Sequence, residues 1–166
     1  MELAALFERH HAELYRYAER FTGDADLAED VVQDAFVRLA ERPPRDGTHL
    51  RAWLYRVATT VAIDALRAVR RRQVLAAANV TRLPLPEPPP DPAAELERAE
   101  LRARVRAALG ELDPRDRTIL LMREEGFSHR EIAETVGTTE KSVGTMIARA
   151  LVKLAQRLDL DAEDAG

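Results

Sequence analysis

The sequence predicts an all-α protein made of two small helical domains joined by a proline-rich linker, and three observations carry that reading. Hydrophobic residues make up 46% and charged residues 33% of the 166, with only 5% aromatic, a balance suited to helices rather than sheets. Apolar residues recur at helical three-and-four spacing through both halves of the chain. Between the halves, residues 83–92 hold six prolines, which remove amide donors and forbid a helix. Such a segment is an extended, semi-stiff spacer of about 3 Å per residue. The expected division is 1–73 for the first domain, 74–92 for the linker, 93–158 for the second domain and 159–166 for an acidic tail.

In the first domain, Leu3, Leu6 and Phe7 begin an apolar stripe that continues through Leu14, Tyr17, Ala18 and Phe21 to a stop at Gly23. A second helix is expected from about Asp24 to Glu41, its inner face formed by Leu27, Val31, Val32, Ala35, Phe36 and Leu39 and its end set by Pro43-Pro44. A third, from about His49 to Arg72, turns Leu50, Trp53, Leu54, Val57, Val61, Ala65 and Leu66 inward on this spacing. It presents Arg56, Thr59, Thr60, Ile63, Arg67 and Arg70 outward. The second domain opens with a charged helix near Ala93 to Leu109. Asp113-Pro114 then reads as an N-cap followed by proline at the first helical position, starting a helix through Arg123. Gly126-Phe127-Ser128 breaks the chain, and Ser128 with Glu131 fits a capping box.

Charge and composition exclude several function classes. No apolar run approaches the roughly 20 residues of a membrane span, no signal peptide is expected, and the absence of cysteine fits a reducing cytoplasm. The net charge of −4 is local, because residues 1–73 balance twelve basic against twelve acidic groups and 93–154 eleven against eleven, while 155–166 carry one against four. Asp24, Asp26, Glu29, Asp30 and Asp34 cluster on one segment, and Arg67, Arg70, Arg71 and Arg72 on another, so one surface can meet a basic protein and another phosphate. His10, His11, His49 and His129 lack the spacing of a metal or acid–base site and are read as surface residues. Without a phosphate loop or a nucleophile elbow either, no cofactor, metal or catalytic residue is expected.

From His129 onward the chain has the pattern of a helix-turn-helix. Ala133 allows two helices to cross closely, Gly137 can take a left-handed turn conformation, and Ile132, Val136, Val143, Met146 and Ile147 fall at inward positions. Helical hairpins that bind nothing share this spacing, but a DNA-binding reading is favoured. On it, Glu140, Lys141, Ser142 and Thr145 reach base edges, and Arg149 and Lys153 reach phosphate.

The stretch from Leu112 to Arg123 (Leu-Asp-Pro-Arg-Asp-Arg-Thr-Ile-Leu-Leu-Met-Arg), with Gly126-Phe127-Ser128 and Glu131-Ile132-Ala133, resembles region 4 of bacterial extracytoplasmic-function sigma factors. Upstream, Asp30-Val31-Val32-Gln33-Asp34-Ala35-Phe36 is similar to their region 2 segment that docks on RNA polymerase, and Trp53 to Ala58 with Ile63-Asp64 and Leu66-Arg67 is similar to the helix that opens and reads the minus-10 element. The resemblance implies two partners, core RNA polymerase and promoter DNA in double-stranded and melted form, with an anti-sigma factor as a plausible third. It assigns polymerase docking to Asp30, Gln33, Asp34 and Arg38, and minus-10 contacts to Arg56, Thr59, Thr60, Ile63, Arg67, Arg70 and Arg71. Minus-35 contacts then fall to Ser128, Glu140, Lys141, Ser142, Thr145, Arg149 and Lys153. Many members carry Asn, Lys and Arg where this chain has Thr60, Gly144 and Met146, so positive charge is reduced on the recognition helix.

Overall fold

A computed structural model describes residues 2–45, 49–76 and 94–164 of the chain, with side chains described as far as 159. Among them are seven α-helices and no strand. The proline-rich residues 83–92 lie outside the described residues.

Three helices form the first unit. Helix α1 (Leu3–Thr22) buries Leu14, Tyr17, Ala18 and Phe21, and stops where Gly23 adopts φ 70° and its amide donates to the Glu19 carbonyl. Helix α2 (Ala25–Glu41) starts at an N-cap, Asp24, whose carboxylate accepts from the Leu27 amide at 2.9 Å. Its buried stripe is Ala28, Val31, Val32, Ala35, Phe36 and Leu39. Helix α3 (Leu50–Leu75) runs two residues past the expected boundary at 73.

The inward face of α3 differs from the expected one. Leu54, Tyr55, Ala58, Thr59, Val61 and Ala62 are buried, whereas Trp53, Val57 and Leu66 are half-buried against the core margin. Counting apolar residues alone misplaced the stripe, because two polar side chains satisfy each other inside it. The hydroxyls of Tyr17 and Thr59 lie 2.6 Å apart, and Thr59 also donates to the Tyr55 carbonyl at 2.7 Å.

Four helices form the second unit: α4 (Ala94–Glu111), α5 (Pro114–Glu124), α6 (His129–Val136) and α7 (Glu140–Asp164). Asp113 caps α5 by accepting from the Asp116 amide at 2.9 Å, with Pro114 in the first turn. Ser128 and Glu131 close the capping box of α6, and Gly137 ends that helix at φ 71°. Ala133, Val143 and Ile147 are buried where α6 meets α7, as the helix-turn-helix spacing requires. Helix α7 continues to Asp164, into the segment expected as an acidic tail.

The two units touch. Arg117 of α5 is buried, and its guanidinium donates to the carbonyls of Leu109, Gly110 and Leu112 in its own unit and to that of Phe21 in the first, at 2.6 Å. Burial lowers the pKa of this guanidinium, which the four acceptors keep hydrogen-bonded and arginine chemistry keeps charged. Beside it, the ring of Tyr55 meets that of Phe127 edge-on at 4.8 Å.

Candidate nucleic-acid and polymerase interfaces

Three outward surfaces carry the residues singled out in the sequence. On α2, Asp30, Gln33 and Arg38 are exposed and Asp34 is half-buried, so the set shares the side of the helix opposite its buried stripe. Arg38 holds Asp34 in a two-pronged pair at 3.1 and 3.4 Å. Val37, 52% exposed, gives this acidic face an apolar centre that sequence reading did not single out. The remainder of the acidic cluster has local roles: Asp24 caps α2, Asp26 lies in its first turn, and Glu29 is 3.8 Å from His11.

On α3, Thr60, Arg67, Arg70 and Arg71 are exposed and Arg56 and Ile63 half-buried. Positions 56, 60, 63, 67 and 70 follow one helical stripe. The Thr60 hydroxyl donates to the Arg56 carbonyl at 3.1 Å, and Arg67 stands 4.0 Å from Asp64. Thr59 leaves this set, since it is 4% exposed and its hydroxyl is spent on Tyr17 and Tyr55. A threonine can face either way on a helix, and no neighbouring residue in the sequence told which of the adjacent Thr59 and Thr60 would turn inward.

On α7, Glu140, Lys141, Thr145 and Arg149 are exposed and Ser142 is half-buried. Lys141, Thr145 and Arg149 succeed one another at four-residue steps and form one ridge. Ser142 is engaged within the helix start, its Oγ 2.8 Å from that of Thr139. Gly144 is exposed, and a Cβ there would meet only the His129 ring at 3.8 Å, an ordinary contact. Met146 is half-buried against the core, with its Sδ 4.0 Å from Arg115 Nη2.

Two of the expected contacts are held by the fold itself. Lys153 pairs with Asp116 and, at 3.8 Å, with Asp113, fastening α7 to the start of α5 and not standing free for phosphate. The Asp116 carboxylate holds this ammonium above its ordinary pKa. Ser128 is exposed, yet its hydroxyl serves the capping box.

Sequence reasoning missed a cluster between the units. Arg51 donates to Glu13 at 3.1 Å and to Glu125 at 3.4 Å, while the Tyr55 hydroxyl donates to Glu125 at 3.2 Å. Burial pushes the Glu13 carboxyl up, but hydrogen bonds from His10 and Arg51 outweigh it and leave the group below its ordinary value. These partners are up to 74 residues apart, beyond any local pattern. Among the described residues, no group of three or more His, Cys, Asp or Glu could hold a metal ion, and no helix is long and apolar enough to cross a membrane.

Residues 6–72 match the family model for sigma-70 region 2, and residues 102–154 that for sigma-70 region 4. The chain is 33% identical over 153 residues to the ECF RNA polymerase sigma factor SigL of Mycobacterium tuberculosis, covering 90% of this chain and 84% of that one. It is 34% identical over 176 residues to the RNA polymerase sigma factor CnrH of Cupriavidus metallidurans, covering 95% and 87%. The structure of CnrH in complex with the cytosolic domain of CnrY is similar with a TM-score of 0.68 at 29% identity, over 96% of this chain and 88% of that one. The sigma factor RpoE in complex with the anti-sigma factor NepR from Bartonella quintana has the same fold, with a TM-score of 0.71 at 21% identity over 95% and 97%.

Proposed function

The chain belongs to the extracytoplasmic-function RNA polymerase sigma factors, and from that premise we propose which of its surfaces performs each part of the work. As a sigma factor it binds core RNA polymerase and directs promoter-specific initiation by recognising the minus-10 and minus-35 elements. The face of α2 bearing Asp30, Gln33, Asp34 and Arg38 docks on polymerase, with Val37 buried at the centre of the contact. The α3 stripe of Arg56, Thr60, Ile63, Arg67 and Arg70, with Arg71, receives the minus-10 element, its arginines on phosphate while melted bases are held nearby. The α7 ridge meets the minus-35 element, Lys141 and Thr145 on base edges and Arg149 on phosphate, with Glu140 beside the ridge in the first turn of the helix.

The observation that carries this reading is that the α2 face and the α3 stripe on the first unit and the α7 ridge on the second each stand opposite their own buried residues. A protein of this kind acts in the cytoplasm and performs no catalytic step, leaving the chemistry to polymerase. An anti-sigma factor is proposed as a further partner, supported by the relatives whose structures are complexes with such proteins. Transcription in vitro with core polymerase and a pool of genomic fragments tests the proposal. Specific start sites that appear only when the protein is added are expected, and their absence counts against it.

A further inference from the structure

Gly144 occupies the middle of an exposed helical face without needing to be glycine. Its backbone is ordinary helix, since the glycines of positive φ are Gly23, Gly126 and Gly137. Coming three residues after Lys141 and next to Thr145, it leaves a hollow beside the α7 ridge. A ring from the neighbouring helix borders that hollow. A Cβ at position 144 would have His129 Cε1, at 3.8 Å, as its nearest atom from another element.

His129 is set there by the start of α6, of which it is the first residue, directly after Ser128 and its capping box with Glu131. The residue is exposed. His10 and His11 each stand against a glutamate, whereas the His129 ring has no carboxylate at ion-pair distance and no hydrogen bond among the described residues. The charged groups on the helices around it are Arg130 and Glu131 on α6, Glu140, Lys141 and Arg149 on α7, and Arg115 on α5. Arg130 is paired with Glu134 at 3.2 Å, and Glu131 is committed to the capping box. Both ring nitrogens are thus left for an outside partner. The other histidines of the chain, His10, His11 and His49, all belong to the first unit.

A neutral imidazole offers one donor and one acceptor, and an imidazolium offers two donors and a charge. The ring stands to the side of the α7 ridge, on a different helix from the residues assigned to base edges. Duplex DNA lying on that ridge would bring its backbone to this side. A phosphate is anionic and only accepts, so it would favour the protonated ring. Binding would then take up a proton, and affinity would rise as pH falls through the range of about 8 to 5 in which imidazoles change charge.

We infer that His129 is a further DNA contact of the second unit: beside the bare backbone of Gly144 its protonated ring takes a phosphate of the minus-35 duplex, and the hold on that element tightens as pH falls. The inference rests on the minus-35 reading of α7 above.

The test uses full-length protein assembled with core polymerase and a promoter fragment recovered by the transcription assay above. Wild type, His129→Gln, His129→Arg and Arg149→Ala are titrated by fluorescence anisotropy at several salt concentrations, near pH 8 and near pH 6. Comparing each variant with wild type at the same pH removes the titration of polymerase and of the first unit's histidines. Wild type and His129→Gln are expected to bind alike near pH 8, and wild type about five- to tenfold more tightly near pH 6, as fits a charged hydrogen bond. At the lower pH the wild-type salt slope should also be steeper by about 0.9. His129→Arg, charged throughout, should bind tightly at both. A ratio of wild type to His129→Gln that does not change with pH, while Arg149→Ala weakens binding, would overturn the His129 contact and leave the minus-35 reading standing. Arg149→Ala without effect would count against that reading, and the inference would fall with it.

Discussion

Thr59 and Thr60 are neighbours in sequence with opposite duties. Thr60 stands on the outward stripe of α3, while Thr59 closes a buried hydroxyl pair with Tyr17. Thr59→Val should therefore leave promoter preference intact and lower stability by about 1–3 kcal/mol, since the Tyr17 hydroxyl would be buried without its partner. Thermal unfolding and a promoter-binding titration on the same sample separate the two effects. On α7 the division lies between reading and holding. Lys141→Ala should change the preferred minus-35 sequence, whereas Arg149→Ala should weaken all sequences alike, measured by fluorescence anisotropy on a set of duplexes. Gly144→Lys should tighten binding and steepen its salt dependence by about one phosphate equivalent, because the site is open and glycine gives way to a better helix former. A matching charge at position 146 is a poorer choice: Met146 packs against the core, and an arginine there would be set beside Arg115.

Each helix of the first unit divides into a buried stripe and an outward face, and the two can be disturbed separately. Asp30→Arg with Asp34→Arg should weaken binding to core polymerase while helicity is kept, as both residues lie away from the buried stripe of α2. A pull-down titration with circular dichroism on the same variant is the check, and unchanged affinity would remove α2 from the docking surface. Arg67→Ala with Arg70→Ala should impair opening of the minus-10 region more than polymerase binding, seen by permanganate footprinting. Helix ends were the most legible feature of the sequence. Asp24, Asp113-Pro114, Ser128 with Glu131, Gly23 and Gly137 all act as caps or stops where their chemistry predicts, because each works through hydrogen bonds within a few residues. The buried stripe of α2 was legible for the same local reason. That of α3 was only partly so, since Tyr55 and Thr59 are buried through partners supplied by α1 and by the second unit. The pairing of Lys153 was equally hidden, because its carboxylate partners are 37 and 40 residues upstream.

At the scale of the whole molecule, local sequence says almost nothing, because the joint between the units is built from single residues with distant partners. Arg117 lies in a helix where every residue from Asp116 to Met122 is buried, and no periodicity marks a polar side chain that will cross to another domain. Glu13 is equally silent in sequence, yet it anchors Arg51, which in turn holds Glu125 across the joint. Asp113 binds the second unit together through the α5 cap and Lys153. Burial raises its pKa, but hydrogen bonds from Asp116 and the charge of Lys153 more than offset this and leave it below its ordinary value. Glu13 and Asp113 therefore share a sign. Each takes up a proton less readily folded than unfolded, so each contributes stability that is complete above the ordinary carboxylate range and is lost as pH falls through the lowered folded value. The joint should consequently weaken in acid before the helices melt, because protonating Glu13 removes the charge that positions Arg51, whereas the apolar stripes do not titrate. A pH series from neutrality to below about 4 is expected to show the radius of gyration rising while helical ellipticity is still largely retained. Glu13→Gln, whose amide stands in for the protonated carboxyl and lacks the charge that holds Arg51, should already show the raised radius at neutral pH, and coincident loss of compactness and helicity in the wild-type protein would show that the joint has no acid-sensitive step of its own.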